Sequence, residues 1–370
     1  MGGSSPYRVM VVDDSAVIRG LLTRALESDP AITVISSVSN GDLAVKAIKR
    51  HDIEIVVLDI EMPVMDGMTA LPLLLEARPE AQVIMASTLT HQNAEISLRA
   101  MAKGAADYVT KPSSTSEIHS ADSFRRELTE KIKAVAASGR SGRRSAYRRA
   151  GPADAGGAPA PAPVKAAEVK LRKAPILPPE IIAIGSSTGG PQALIKVLPE
   201  LVKGLRQPIV ITQHMPATFT ALLAEHITRA AGRQCAEGKD GERVEPGRIY
   251  LAPGGYHMVL KPTSDGPIIR LNQDPPENFC RPAVDPMLRS MAPIFGTRLL
   301  VIILTGMGAD GQKGSKEVTA AGGTVIAQDE TTSVVWGMPG AVAMAGLCSA
   351  VLPLQQIASY AHKIAVRSAA

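Results

Sequence analysis

Short apolar runs and amphipathic stripes alternate along the N-terminal part of this chain. Arg8 to Val12, Ile32 to Ser37, Ile53 to Leu58, Gln82 to Ala86 and Ala106 to Val109 are brief and rich in β-branched residues, which predicts strands. Between them, Ser15 to Glu27, Leu43 to Lys49, Met68 to Ala77 and Ala94 to Met101 space their apolar residues as helices do. Strand–helix alternation of this kind predicts an α/β fold with a doubly wound, parallel sheet.

A second alternating block follows. Its apolar runs at Ile181 to Ile184, Pro208 to Gln213 and Leu299 to Leu304 read as further parallel strands. Gly/Pro loops interrupt this block, and the pieces near Ile249-Tyr250-Leu251 and Met258-Val259-Leu260 read as antiparallel. The expected fold class is therefore α/β with two doubly wound domains, the second mostly parallel with a few antiparallel strands. The stretch between the blocks is rich in Ala, Pro and Gly and lacks apolar periodicity to offset the entropy of ordering it. It reads as a flexible, partly extended linker, which divides the chain into 1–138, 139–175 and 176–370.

Charge changes the picture only in where it sits. The formal net charge is +5, but between Gly139 and Pro175 nine basic residues face two acidic ones, so that stretch is about +7 and the rest about −2. The basicity belongs to one segment and not to a folded surface, which disfavours nucleic acid as the partner. No apolar stretch approaches the roughly 20 residues that span a bilayer, so no membrane insertion is expected. Three scattered cysteines, Cys235, Cys280 and Cys348, suggest a reducing, cytoplasmic setting and show no paired metal-ligand spacing.

The candidate chemistry lies where strands end. Ile181-Ile182-Ala183-Ile184 runs into Gly185-Ser186-Ser187-Thr188-Gly189-Gly190, a glycine turn carrying a serine. The run ending at Gln213 leads to His214, and Leu299 to Leu304 leads through Thr305-Gly306-Met307-Gly308-Ala309 to Asp310. If these strands are parallel neighbours, Ser187, His214 and Asp310 meet at the carboxyl edge, where open α/β sheets build sites. Each residue has a plainer reading. Ser187 and Asp310 suit helix caps, and a lone strand-end histidine is more often structural. Convergence of all three is what favours a nucleophile, a base and its orienter.

The first block gathers carboxylates in the same way. Asp13-Asp14 end its first strand and Asp59 its third, with Glu61 just beyond and Lys111 after the last strand. Carboxylates so placed repel one another unless a hard cation such as Mg²⁺ joins them.

Both blocks then resemble known families. Val11-Val12-Asp13-Asp14-Ser15, Leu58-Asp59-Ile60-Glu61-Met62-Pro63, Asp66-Gly67, Ser87 and Tyr108-Val109-Thr110-Lys111-Pro112 resemble a response-regulator receiver domain. The resemblance implies a (βα)5 fold with Asp59 as phosphate acceptor and Mg²⁺ arranged by Asp13, Asp14, Asp59 and the backbone at Glu61. It also implies Ser87, Tyr108 and Lys111 as the switch residues and a cis Lys111–Pro112 bond. Ile184 to Gly190, Ile211-Thr212-Gln213-His214-Met215-Pro216, Asp240 to Val244, Leu251-Ala252-Pro253-Gly254, Ile303 to Gly311 and Trp336-Gly337-Met338-Pro339 resemble the catalytic domain of the chemotaxis protein-glutamate methylesterases.

That second resemblance implies a phosphorylation-activated carboxylic ester hydrolase. Ser187, His214 and Asp310 would form its triad, Thr188 and Met307 would assist near the oxyanion, and the esterase domain would need no cofactor. It further implies demethylation, and deamidation of glutamines, on methyl-accepting chemoreceptors, with a chemotaxis histidine kinase as phosphodonor. The unphosphorylated receiver would cover the esterase site. Ser186 stands where that family usually has alanine, placing a second hydroxyl beside Ser187. A DNA-binding response regulator and a non-catalytic adaptor with a relic triad remain open alternatives on sequence alone.

Overall fold

The computed structural model describes residues 5–88, 90–111, 118–150, 169–173 and 177–365. In the first block, β1 (Tyr7–Val12), β2 (Ile32–Val38), β3 (Ile55–Asp59), β4 (Gln82–Thr88) and β5 (Asp107–Lys111) form one all-parallel sheet in the order β2-β1-β3-β4-β5. The connecting helices are α1 (Ala16–Glu27), α2 (Gly41–Arg50), α3 (Gly67–Ala77) and α4 (His91–Ala102), and α5 (Ile118–Ala150) follows the last strand. All five residues of β3 are buried, as a strand covered on both faces must be. Polar residues start the helices: Asn40 accepts from the Leu43 amide, Asp66 from Thr69 and Thr90 from Asn93. Helix α5 continues to Ala150, into the stretch read from sequence as linker. Arg140 on it pairs with the buried Glu54; burial would raise that carboxyl, but the Arg140 pairing together with the amide and charge of Arg8 lowers it. Residues 151–168, including the Gly151 to Pro161 run, lie outside the described residues, as does Pro112, on which the expected cis bond falls.

The second block has a seven-stranded sheet. Its elements begin with β6 (Ile181–Ser186), α6 (Gly190–Leu201), β7 (Ile209–Gln213), α7 (Ala217–Ala231), β8 (Cys235–Glu237) and β9 (Ile249–Leu251). They continue with β10 (His257–Lys261), β11 (Ile268–Asn272), α8 (Val284–Phe295), β12 (Leu299–Ile303), α9 (Gln312–Ala320), β13 (Thr324–Gln328), α10 (Met338–Met344), β14 (Ala350–Leu352) and α11 (Leu354–Ala365). The sheet order is β14-β13-β12-β6-β7-β9-β8, and every pair in it is parallel. Ile249–Leu251 thus joins the parallel sheet, correcting its antiparallel reading; three buried residues are too few to show a pattern. Met258–Leu260 does lie in an antiparallel pair, β10 with β11, outside the main sheet.

The two blocks share a buried seam. Ala94, Leu98 and Met101 of α4 belong to the same core as Phe219, Leu222 and Leu223 of α7, and α4 packs on both α6 and α7. On the other side of β5, Val335 joins the core of the first sheet, with Val334 and Met307 against it.

Candidate functional site

Strand β6 is the centre of the second sheet, with β7 on one side and β12 on the other. Ser186 pairs with Gln213 and Gly185 with Ile303, so the chain leaves all three strands at one carboxyl edge. The turn after β6 depends on glycine. Gly189 has φ of 75°, and a Cβ at Gly190 would sit 2.0 Å from the Gln213 Oε1.

The structure separates the two serines. Ser186 is 0% exposed, and its hydroxyl donates to Gln213 Oε1 at 2.7 Å. The Gln213 amide then donates to the carbonyls of Ser187 and His214 at 3.0 and 3.1 Å, fixing both strand ends. Ser187 is half-buried one residue further on, beside His214, whose amide donates to the Ser186 carbonyl. Helix α6 is capped at Gly189 without a side-chain bond, so Ser187 does not serve as its cap. Among the described residues the Ser187 hydroxyl makes no hydrogen bond to His214.

His214 Nε2 lies 2.7 Å from Asp310 Oδ2, so Nδ1 is the ring nitrogen not taken by the carboxylate. Asp310 is buried and saturated with donors. Its Oδ2 accepts the Val284 amide at 2.6 Å, and its Oδ1 accepts those of Asp285 at 3.0 Å and Gly311 at 2.9 Å. Val284 and Asp285 open α8, so the carboxylate sits on a helix N-terminus across the loop and not at the start of its own. Burial alone would raise the Asp310 pKa and lower that of His214. The bond between them, with those amides on Asp310 and the Cys280 thiol on the ring, reverses both: Asp310 falls and His214 rises. The pairing therefore shifts the imidazole toward its protonated form.

Residues that sequence reading missed complete the surroundings. Glu277-Asn278-Phe279-Cys280 is a tight turn closed by reciprocal backbone bonds between Glu277 and Cys280, with φ of 51° at Asn278 and 63° at Phe279. Asn278 Nδ2 donates to Asp310 Oδ1 at 3.0 Å, and Cys280 touches His214. No spacing marked this turn, since it reaches Asp310 and His214 only through tertiary contact.

In the first block, ligand oxygens of Asp13, Asp14 and Asp59 lie within 4.8 Å of one another, with Asp14 exposed. Lys111 Nζ bridges Asp13 at 2.7 Å and Asp59 at 2.6 Å. Burial raises Asp59 to about 6, against the lowering pull of Lys111. A set of oxygen donors, one open to solvent, with a carboxylate short of positive charge fits a hard divalent cation. Glu61 is exposed just beyond Asp59. Ser87 is buried, and its hydroxyl meets that of Ser97 at 3.2 Å.

The far end of β5 meets the second block. Tyr108 is 5% exposed and its ring stacks on Phe219, with centroids 4.3 Å apart and planes at 13°. Beside it, the Thr188 hydroxyl donates to Asp107 Oδ2 at 2.7 Å, and Lys131 Nζ lies 3.4 Å from the same oxygen. Gln192 donates to the Ala105 carbonyl at 2.5 Å, and the Arg126 guanidinium lies 4.0 Å above the Phe279 ring. Thr188, expected beside an oxyanion, is thus engaged by the first block.

Two family models match the chain: a response regulator receiver domain over residues 9–122 and CheB methylesterase over residues 182–361. The chain is 59% identical, over 100% of its length and 96% of the relative's, to a protein-glutamate methylesterase/protein-glutamine glutaminase of Rhodospirillum centenum. It is 58% identical to the corresponding protein of Azospirillum brasilense, covering 99% of this chain and 95% of that one. The CheB methylesterase catalytic domain of Thermotoga maritima is 41% identical with a TM-score of 0.49, covering 51% of this chain and all of that one. On the strength of the full-length relatives, this chain belongs to the family of protein-glutamate methylesterase/protein-glutamine glutaminases with an N-terminal receiver domain.

Proposed function

We propose that the chain hydrolyses glutamyl methyl esters on chemoreceptors by a Ser187–His214–Asp310 mechanism, and that its receiver holds the site closed until Asp59 is phosphorylated. The observation that carries this reading is the meeting of three strand ends at one edge, with Asp310 bonded to His214 and β5 of the receiver bonded to Thr188. His214 Nδ1 takes the proton as the Ser187 Oγ attacks the ester carbonyl, and Asp310 stabilises the imidazolium that forms. Imidazolium then protonates the leaving methoxide, methanol departs, and water repeats the cycle to return a carboxylate. Backbone amides of the glycine turn and the Met307 loop receive the oxyanion. The same acyl-enzyme route releases ammonia from a glutamine amide.

On the receiver, Asp13, Asp14 and Asp59 would hold Mg²⁺, with the Glu61 backbone completing the ligand set. When bound, the ion neutralises charge on the phosphoryl group being transferred. Lys111 contacts Asp59 at one end of β5, while Asp107 and Tyr108 at the other end hold the esterase domain. A single strand therefore links the two events. Phosphorylation favours opening to the extent that it binds the open arrangement more strongly. Residues 1–138 and 176–370 serve as the two domains and 139–175 as the connection. The kinase and the receptors are the expected partners, in the cytoplasm; no helix among the described residues is long and apolar enough to cross a membrane.

The test is methanol release from a carboxymethylated receptor fragment by the full chain, with and without acetyl phosphate. Release that rises with the phosphodonor and vanishes in Ser187→Ala supports the reading. Undiminished release by Ser187→Ala removes the nucleophile assignment.

A further inference from the structure

A second carboxyl is buried against the triad. Asp285 is 1% exposed, as is Asp310, and its Oδ1 accepts the Gly314 amide at 2.7 Å. Its other oxygen lies 3.3 Å from Asn278 Nδ2, the same nitrogen that donates to Asp310 at 3.0 Å. Two carboxyls at this depth repel when both are ionised. Burial, opposed by the Gly314 amide and reinforced by the charge of Asp310, accordingly raises the Asp285 pKa.

The turn that carries the amide is firmly held. Glu277 is gripped by the Arg289 guanidinium from α8, with one contact at 2.9 Å. Asn278 itself sits at φ of 51°, in the left-handed region where asparagine is favoured among residues with a side chain. Sequence offers no helix, strand or cap that would need an amide at this position.

We propose that Asn278 is a positioning residue, its amide donating to Asp310 and standing between that carboxylate and Asp285. The role rests on the esterase reading above. It acts through Asp310, which holds His214; Asn278 need not touch substrate. The charged and titratable groups around this cluster are His214, Cys280 beside its ring, Asp285, and the Arg289–Glu277 pair with Glu317 behind Arg289.

The sign of the effect follows. Removing the amide leaves both carboxylates, Asp310 and the neighbouring Asp285, without the dipole that stands between them, so their combined negative charge is unscreened. That stabilises imidazolium, so the pH at which His214 becomes a usable base moves upward. Replacing Asp285 by Asn removes the second carboxyl and with it most of that shift.

The test uses the full chain activated by acetyl phosphate, with methanol release from a carboxymethylated receptor fragment followed across pH. Asn278→Gly is the chosen variant, because glycine accepts the backbone angle and lacks only the side chain. The expected result is a kcat about tenfold lower with KM little changed, and an acidic limb displaced about one pH unit to alkaline. In Asn278→Gly/Asp285→Asn the displacement shrinks by more than half, a coupling between neighbours that independent structural damage does not give. A limb that stays in place, or one displaced equally with and without Asp285, overturns the role. Asn278→Ser, judged on the same two criteria, serves if the glycine variant does not fold. Absence of release from the unmodified chain would instead overturn the esterase reading on which the role depends.

Discussion

Adjacent serines differ in a way that separates a structural hydroxyl from the one proposed as nucleophile. Ser186 is sealed in the strand with its proton committed to Gln213, whereas Ser187 is only half-buried. Ser186→Ala should therefore retain esterase activity within about tenfold, losing one buried hydrogen bond. Ser187→Ala should lose about four to six orders of magnitude in kcat. Methanol release from matched variants distinguishes them. The charge on Asp310 gives a second expectation. Because it raises the His214 pKa, activity of the unphosphorylated chain should climb with pH along a limb above the ordinary imidazole value of about 6.5. Asp310→Asn removes that charge, so its limb should move toward acid while kcat falls about four orders of magnitude; a pH–rate profile checks both. Ser187, His214 and Asp310 were legible because Ser187 and His214 directly follow apolar strand runs and Asp310 follows one after a short glycine loop. Asn278 and Asp285 were not, since an irregular turn and the first turn of a helix carry no periodic mark of what they will face.

Among the elements, β5 has the widest reach. One end carries Lys111 into the acidic cluster, and the other carries Asp107 and Tyr108 into the esterase domain. A hydrogen bond to a buried carboxylate contributes about 1.5–3 kcal/mol. Asp107→Ala should therefore raise basal esterase activity roughly tenfold or more without any phosphodonor, as methanol release would show. Unchanged basal activity would mean that the Thr188 contact does not hold the closed state. The strands of the first sheet could be read because β-branched residues cluster in them, and their observed ends differ from the reading by only a residue or two. Helix α5 was harder. Beyond Ala136 it has few apolar residues, and the Arg140 pairing with Glu54 that fixes its course joins segments far apart in sequence. The parallel placement of β9 was likewise set by its neighbours β7 and β8, not by its own three residues.

For the molecule as a whole, input and output are separated by the length of one strand. Asp59→Asn should keep basal methanol release and abolish its stimulation by acetyl phosphate. With burial raising Asp59 to about 6, stimulation of the unmodified chain should fade as pH drops through that region, because a protonated carboxyl does not attack phosphorus. Mg²⁺, by favouring the ionised form, should extend stimulation to lower pH, and a titration of stimulated activity against pH at two Mg²⁺ concentrations measures this. Two-domain organisation was plain from the charge and composition of 139–175, but the seam was not, because Tyr108, Phe219 and Thr188 have ordinary roles within their own domains. The seam also bears on dilution. An inhibitor tethered to its target faces it at an effective concentration of about millimolar, however scarce the protein is in the cell. A seam made of the α4–α7 core, the Tyr108–Phe219 stack and the Thr188–Asp107 bond would then hold the proposed closed state with the tether's help, and the same receiver supplied as a separate polypeptide at micromolar levels should inhibit less.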